Sequence, residues 1–358
     1  MQEKQKKVLR ALAFLVVIVM ALIIFVTIQD KNDHKSQETT QRKSDSIQQK
    51  ENTFDESKIN RTSDGTKYII HPDKLKDGGP PKGGIGTDKG IPAITKAQVK
   101  YTTPEKANKW VENDELVLAL NYKGEKIVYP LQILTFHEII NEKINGEPLL
   151  ITYCPLCGTG IAYKREISVN GTTKTPNFGT SGKLYNSNLV MYDNLTGTYW
   201  QQIDGKAIVG ELSGQELKKV SIDTVTWKEW KSNHKDFKVL SKDTGFERPY
   251  GKNPYGGYRE SDTTFFDYNN KNDTLKPKTV VYGIEINGKY KAYKDRDLEK
   301  GQKIEDKFAN TTIEIEKNQD GTVRFKNKKT GEKIVKERGF WFSWHAFHPQ
   351  TKIYKPQD

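Results

Sequence analysis

The chain has 358 residues, and its 58 Lys and Arg against 46 Asp and Glu give a formal net charge of +12 at pH 7. With 34% hydrophobic and 10% aromatic residues it can bury a real core, either as one large domain or as two smaller ones. Despite the basic balance, the sequence contains no recognisable nucleic-acid reader motif, which excludes nucleic acid as the expected partner.

The N-terminus predicts a membrane anchor. A basic tail, residues 1–10, precedes an uncharged apolar run, residues 11–28. Its roughly 18 residues approach the ~20 that a transmembrane helix needs. Because the positive charges lie before the run, we expect a single-pass protein of the cell membrane whose C-terminal part is extracytoplasmic. The alternative is a cleaved signal peptide, but no small-residue cleavage site follows the run.

A polar stretch, residues 29–60, has few large apolar side chains and predicts a disordered spacer before an ectodomain of residues 61–358. The remaining positive charge would favour anionic cell-wall polymers or lipid headgroups as neighbours, although solubility alone would also explain it. The Gly-rich sequence DGGPPKGGIG (77–86) lacks the Walker spacing, so we expect no nucleotide.

The ectodomain begins with strand and helix patterns. Two apolar runs around a Lys-Gly turn predict a β-hairpin over 115–131. Apolar residues then recur at helical spacing from Ile133 through His137 to Ile144, which predicts a helix with His137 on its apolar face and Glu138 pointing away from that face. Further on, Thr226 and Glu229 form a predicted capping box for a short helix.

An internal repeat relates two parts of the ectodomain. The hairpin sequence ELVLALNYKGEKIVYP (115–130) resembles TVVYGIEINGKYKAYK (279–294) at an offset of 164 positions. We therefore predict an α+β fold in which β structure dominates, with short helices and two related β-rich lobes, at about residues 111–212 and 277–350. The second lobe contains no cysteine, so a chemical site is expected in the first.

Both cysteines of the chain, Cys154 and Cys157, lie in the sequence ITYCPLCGTGIAY (151–163). A Cys-x2-Cys turn with Pro and Gly is typical of a metal-binding knuckle, and thiolates suit zinc or copper. His137 is the expected third ligand, because its helix must fold back onto the strand that ends at Cys154. Such a set would leave one coordination position open for redox or catalytic chemistry.

Other interpretations of these residues stay open. In an oxidising compartment the two thiols could form a disulfide that locks the CPLCG loop of a non-catalytic surface module. They could also be the redox dithiol of a metal-free oxidoreductase, and His137 could be a core histidine without a metal. A zinc deaminase is not expected, because its motif is His-x-Glu followed by Pro-Cys-x2-Cys, whereas this chain has His137-Glu138 and places Pro155 after the first Cys.

Several sequence blocks taken together resemble the DUF3179 family, a domain of unknown function. They are, in order, GIPAI, YPLQILTFHEIIN, ITYCPLCGTGIAY, FGTSGKLYNSNLVMYD, TWKEWKSNHKDFKVLS and RPYGKNPYGGY, and they span about residues 64–350. The resemblance implies a bacterial or archaeal protein that is often exported or anchored, without implying an activity. Its blocks include His137, Glu138, Cys154 and Cys157, and Phe136 stands where the family block tends to have Trp.

Overall fold

The computed structural model describes residues 55–78 and 90–356. The predicted membrane helix, residues 11–28, and nearly all of the predicted spacer lie outside the described residues. Within those residues, none of the helices has the length and apolar character needed to cross a membrane. Residues 56–78 and 90–356 belong to one compact unit.

The helices of the described part are short. The α-helices are α1 Pro104–Ala107, α2 Leu131–His137, α3 Trp227–Asn233 and α4 Trp341–Phe347, and single 3₁₀ turns cover Glu56–Lys58, Pro72–Lys74, Lys96–Gln98 and Asp295–Asp297. At the start of α3, the Thr226 side chain accepts a hydrogen bond from the Glu229 backbone, and the Glu229 carboxylate accepts one from the Thr226 backbone. The predicted capping box is therefore confirmed.

Strands carry most of the fold. Those of the first half, in chain order, are β1 Asn60–Arg61, β2 Lys67–Tyr68, β3 Lys76–Asp77, β4 Tyr101–Thr102, β5 Leu116–Tyr122, β6 Glu125–Pro130, β7 Ile139–Ile144, β8 Glu147–Cys154, β9 Thr159–Lys164, β10 Ile167–Val169, β11 Thr172–Lys174, β12 Phe178–Tyr185 and β13 Asn188–Asp193. Those that follow are β14 Tyr199–Gln201, β15 Ala207–Val209, β16 Lys219–Val220, β17 Asp223–Thr226, β18 Lys238–Leu240, β19 Val280–Ile286, β20 Lys289–Lys294, β21 Lys303–Phe308, β22 Thr311–Lys317, β23 Val323–Asn327, β24 Lys333–Ile334, β25 Lys336–Phe340 and β26 Lys352–Ile353. The predicted β-dominant fold with short helices is confirmed.

These strands form several sheets. Their strand orders are β1-β2-β15-β14-β13-β12-β3, β16-β9-β8-β7, β17-β5-β6-β18-β4, β25-β19-β20-β26 and β21-β22-β23-β24, and β10 pairs with β11. The predicted hairpin is confirmed as β5 and β6, which pair antiparallel around Lys123 and Gly124. Positive φ at both turn residues suits this two-residue connection.

The sheet β16-β9-β8-β7 positions the cysteines. Side chains on its strand β8 alternate between two buried clusters: Leu150 and Cys154 belong to one, and Ile151 and Tyr153 to the other. Both faces of the sheet are therefore covered, as expected from the nearly continuous apolar sequence of β8. Cys154 ends this strand and Thr159 begins β9, so the Cys-x2-Cys segment is the turn between two buried strands.

The predicted helix from Ile133 to Ile144 is wrong in its second half. Helix α2 ends at His137, and residues Ile139–Ile144 form strand β7 instead. Ile139 and Ile140 lie in different buried clusters, which a helix with one apolar face would not require. The apolar residues of β7 matched helical spacing only by coincidence. Both faces of β7 are buried, so its apolar residues do not alternate in the way that identifies a strand with one exposed face.

Two of the sheets share one arrangement. Strand β17 pairs antiparallel with β5 of the first hairpin, α3 follows, and β18 then pairs parallel with β6. In the same way β25 pairs antiparallel with β19, α4 follows, and β26 pairs parallel with β20. Both helices carry the sequence Trp-x2-Trp-x3-His, at 227–234 and 341–348. The first of these sheets continues to Leu240, beyond the predicted lobe boundary near residue 212.

Candidate dithiol site

The two thiols lie together in the turn between β8 and β9. Cys154 is 2% exposed, Cys157 is fully buried, and both are free rather than joined in a disulfide. The Cys157 backbone N–H donates to the Cys154 carbonyl at 3.2 Å, which closes the turn. Gly158 then takes φ +62°, and a Cβ atom there would lie 3.0 Å from the Phe340 ring. Glycine is needed at this position both for its backbone conformation and for the close approach of β25.

His137, the predicted third metal ligand, has other partners at both ring nitrogens. Its Nδ1 lies 2.7 Å from the Pro92 carbonyl oxygen, and its Nε2 lies 2.5 Å from the Tyr250 hydroxyl. Burial lowers the pKa of His137 to about 4, so the ring is neutral at neutral pH. In residues 55–78 and 90–356, no three His, Cys, Asp or Glu side chains are grouped so that they could hold a metal ion. The Cys154, Cys157 and His137 ligand set stays a prediction.

Glu138 lies beside the thiols, contrary to the expectation that it points away from the site. It ends α2 with φ +56°, a left-handed backbone conformation that costs a residue with a Cβ roughly 1–2 kcal/mol. Its carbonyl accepts a hydrogen bond from the Tyr153 backbone N–H at 2.8 Å, which holds it next to the end of β8. Helical periodicity failed at Glu138 because the helix stops one residue before it.

The Glu138 carboxyl is buried within electrostatic range of Cys154. Burial raises the pKa of Glu138 well above its ordinary value, and negative charge at Cys154 raises this pKa further. A hydrogen bond from the Tyr255 hydroxyl opposes both effects. The site therefore combines two thiols with a carboxyl group that can hold a proton at neutral pH.

Polar groups around the sulfurs distinguish the two thiols. Burial raises the pKa of Cys154, and hydrogen bonding to Cys157 adds to this rise. Burial alone would also raise the pKa of Cys157, but the neighbouring polar side chains of Cys154, Ser343 and Asn188 lower it overall. The Asn188 amide lies 3.5 Å from the Cys157 sulfur. Cys157 is thus the thiol whose charged form the surroundings favour.

A strained turn supplies an acceptor to both thiols. The β12–β13 hairpin turns through Asn186 and Ser187, both with positive φ, and the Ser187 carbonyl lies 3.9 Å from the Cys154 sulfur and 3.3 Å from that of Cys157. A serine in the left-handed backbone conformation is uncommon, and backbone strain of this kind concentrates at functional sites. Together with Glu138, two segments that contact the thiols therefore have strained backbones.

A buried network orients the Asn188 amide. The Gln202 side chain accepts from Asn188 at 2.8 Å and from the Thr159 hydroxyl at 3.1 Å, and donates to the Thr152 hydroxyl at 2.9 Å. The side-chain carbonyl oxygen of Asn188 accepts a hydrogen bond from the Ile203 backbone N–H at 3.1 Å. With these partners, the second N–H of Asn188 is directed at Cys157. Buried networks that are satisfied in this way fix a single geometry.

Residues 249–270, a segment without helix or strand that is here called the strap, cover the site. Its Tyr258 hydroxyl donates to the Leu156 carbonyl between the two cysteines at 3.0 Å. Its Phe266 carbonyl accepts from the Ser187 hydroxyl at 2.8 Å. Lys278 fastens the strap, because its ammonium group donates to the Tyr258 and Thr263 carbonyls at 2.9 and 2.7 Å and lies 3.4 Å from the Tyr258 ring centre. The strap explains why both sulfurs are buried.

A cavity of about 420 Å³ adjoins the strap and the cysteine turn. Tyr153 and Pro155, which flank Cys154 in the sequence, line it, as do Tyr255 and Tyr258 of the strap. Tyr255 is also the hydrogen-bond partner of Glu138. The cavity and the thiols are therefore neighbours that share tyrosine side chains as a wall.

Sequence reasoning missed the partners that come from distant segments. Ser187, Tyr255, Lys278 and Ser343 reach the site from other sheets and from the strap, and their positions have no signal in the spacing around the cysteines. One signal was available: the segment YNSN (185–188) is a two-residue hairpin with Asn in a left-handed position, which marks a tight turn.

Comparison with known proteins gives a family but no characterised relative. A family model described as "Protein of unknown function (DUF3179)" matches residues 88–336, a span that includes the thiols, Glu138 and the strap. No curated protein and no solved structure matches the chain.

Proposed function

The chain belongs to the DUF3179 family, and from the geometry of its site we propose that Cys154 and Cys157 are a redox-active dithiol that exchanges with disulfide substrates. The observation that carries this proposal is the grouping of two free, buried thiols with an amide donor, Asn188, 3.5 Å from the Cys157 sulfur, and with a buried carboxyl group, Glu138, within electrostatic range of Cys154. Perturbed ionisable groups that cluster beside a cavity are typical of functional sites.

The two cysteines have different roles in this proposal. Cys157, the thiol with the lowered pKa, is the nucleophile, because the thiolate is the reactive form. Cys154, whose pKa is raised, keeps its proton until the second step. Glu138 is the group that gives and takes that proton, since a carboxyl with a raised pKa can act as an acid and as a base at neutral pH.

The proposed reaction has two balanced steps. The Cys157 thiolate attacks one sulfur of a substrate disulfide, and the first substrate thiolate leaves and takes the Glu138 proton. Cys154 then gives its proton to the Glu138 carboxylate and attacks the Cys157 sulfur, which releases the second substrate thiolate. The protein loses two electrons and becomes a disulfide, and the substrate disulfide becomes one thiol and one thiolate, which takes a proton from solvent.

The metal site expected from the sequence is a second proposal, which fewer observations support. Two thiolates at this spacing suit zinc or copper, and His137 would need to give up its bonds to Pro92 and Tyr250 to join them. The dithiol proposal requires no such rearrangement. A non-catalytic module with a disulfide-locked loop would require neither the donors at Cys157 nor the carboxyl beside Cys154.

We further propose that this site lies outside the cytoplasm on a chain anchored by residues 11–28, with anionic wall polymers as possible neighbours of its positive surface. We also propose that the two sheets with matching strand orders arose by duplication. The shared Trp-x2-Trp-x3-His sequence in α3 and α4 supports that relation, in addition to the similar hairpins.

A thiol and metal count on the full-length chain tests the function. Protein purified without chelator should contain two free thiols after treatment with reduced dithiothreitol and none after treatment with oxidised dithiothreitol, with less than one tenth of an equivalent of metal (an order-of-magnitude limit). One equivalent of zinc or copper with blocked thiols would support the metal proposal instead. Thiols that never form a disulfide would overturn the dithiol proposal.

A further inference from the structure

The cavity beside the thiols carries charges of both signs. Three carboxylates, Glu112, Asp114 and Glu115, come from the segment before β5, and two cations, Lys252 and Arg259, come from the strap. Among the described residues, none of the five takes part in an ion pair within 4.0 Å. Unpaired charges of opposite sign around one cavity are groups that a ligand can satisfy.

The walls of the cavity suit a small molecule. Its volume, about 420 Å³, lies in the range of roughly 300–1,000 Å³ that ligand pockets occupy. Leu116, Leu131 and the tyrosine rings supply apolar surface between the charged groups. Glu115 is held in place, because its carboxylate accepts from the Gln132 side chain at 2.7 Å. Arg259 is placed by its contact with the Tyr153 hydroxyl at 3.3 Å.

We infer that this cavity binds a small zwitterionic disulfide of the amino-acid type, with its ammonium groups on the carboxylates of the 112–115 segment and a carboxylate on Arg259 and Lys252. Ammonium and carboxylate groups are the ligands that form charge-assisted hydrogen bonds with these two sets of side chains. The inference names a substrate class, and in that respect it rests on the proposed dithiol function. The binding itself does not depend on redox chemistry.

The cavity is connected to the thiols through Tyr255 and Tyr258. Tyr255 lines the cavity and hydrogen-bonds to Glu138, and Tyr258 lines it and bonds to the Leu156 carbonyl between the cysteines. A disulfide seated in the cavity is therefore separated from Cys154 and Cys157 by strap side chains. Movement of these two rings would bring the substrate sulfur to Cys157.

Equilibrium dialysis with isotope-labelled cystine tests the binding. The protein is the full-length chain with Cys154→Ser and Cys157→Ser, which binds without reacting. We expect saturable binding of labelled cystine. Cystamine, which lacks carboxylates, and dithiodipropionate, which lacks ammonium groups, should each compete for the site less strongly than unlabelled cystine does. Arg259→Gln and Asp114→Asn should each weaken binding about tenfold, the value of one charged hydrogen bond. Lys235→Gln and Asp236→Asn are the matched controls, because both residues are exposed. Both control variants should bind cystine as the protein without these substitutions does.

The outcomes separate this inference from the proposed function. Absence of cystine binding, or binding that the Arg259 and Asp114 variants leave unchanged, overturns the inference even if the wild type reduces the neutral bis(2-hydroxyethyl) disulfide. Cystine that binds to the serine variant but is not reduced by the wild type supports the site and contradicts the dithiol function.

Discussion

At the scale of single residues, the proposed chemistry depends most on Glu138. Its neighbour in sequence, His137, attracted the metal interpretation, yet Glu138, with its left-handed backbone, is the one of the two whose pKa is raised, by burial and by charge at Cys154. His137 instead bridges Pro92 and the strap residue Tyr250. The change of direction occurs within one residue, because a helix end with positive φ departs from helical periodicity.

Glu138→Gln should slow the second step of exchange. Gln cannot accept the Cys154 proton, so the mixed disulfide on Cys157 should persist about a hundredfold longer, a loss typical of general acid–base catalysis. The measurement is mass spectrometry of the adduct after mixing with bis(2-hydroxyethyl) disulfide. Glu166→Gln, at an exposed position, is the matched control. An adduct that resolves at the wild-type rate in Glu138→Gln would remove Glu138 from the mechanism.

Gly158→Ala should destabilise the cysteine turn. The new methyl group would meet the Phe340 ring at 3.0 Å and force a Cβ into φ +62°, so we expect a loss of about 2–4 kcal/mol in the free energy of unfolding. Gly124→Ala is the control: its φ is +84° and its Cβ would have no atom within 4 Å, so the expected loss is about 1–2 kcal/mol. Urea denaturation measures both. Equal losses would show that contact with Phe340 is unimportant.

At the element scale, the strap is the segment that lies over the cysteine turn, where its Tyr258 hydroxyl bonds to the Leu156 carbonyl. Lys278 lies after the strap in sequence, and its ammonium group bonds to strap carbonyls and to the Tyr258 ring. Partial burial lowers the pKa of Lys278 to about 8. A segment without regular structure depends on such contacts for its order.

Lys278→Met should loosen the strap. Loss of the cation–π contact and of the carbonyl bonds, worth about 1–2 kcal/mol together, should raise the rate of proteolytic cleavage within residues 249–270 about tenfold. Lys235→Met is the matched control, because Lys235 is exposed and lies outside the strap. Cleavage of both variants at the wild-type rate would contradict the fastening role of Lys278.

Local signals in the sequence were sufficient for elements that close within a few residues. The Lys-Gly turn between β5 and β6 and the Thr226–Glu229 capping box were predicted because their partners are sequence neighbours. The strand β7 was missed because two buried layers produce an apolar pattern without clear period. The surroundings of Cys157 depend on Asn188 and Ser343, which the turn sequence cannot specify.

At the scale of the whole molecule, two sheets of the same strand arrangement each have a connecting helix with the sequence Trp-x2-Trp-x3-His. In α3 the His234 ring lies on Trp230 with 3.8 Å between ring centres, and in α4 His348 lies 4.2 Å from Trp344. His348 is also stacked on Tyr290 and is 5% exposed. Burial lowers the pKa of His348 to about 4. The unfolded chain therefore binds a proton at this position more readily than the folded chain.

Stability should consequently fall with acid. Because the folded-state pKa of His348 is about 4 and the ordinary value is 6.5, its contribution to the free energy of unfolding is present above pH 6.5 and is lost as the pH falls towards 4. His348→Phe should reduce the difference in stability between pH 7 and pH 4 by about 3 kcal/mol. The control is His71→Phe, because His71 is only partly buried. An unchanged pH dependence in urea denaturation would contradict the assignment.

The most direct test of the dithiol is capture of its intermediate on the full-length chain. After reaction with bis(2-hydroxyethyl) disulfide, Cys154→Ser should carry one stable adduct on Cys157, whereas Cys157→Ser should carry little or none, because the raised pKa of the remaining thiol keeps it protonated. Mass spectrometry of the intact protein and its peptides locates the adduct. An adduct confined to Cys154, or no adduct on either variant, would contradict the account.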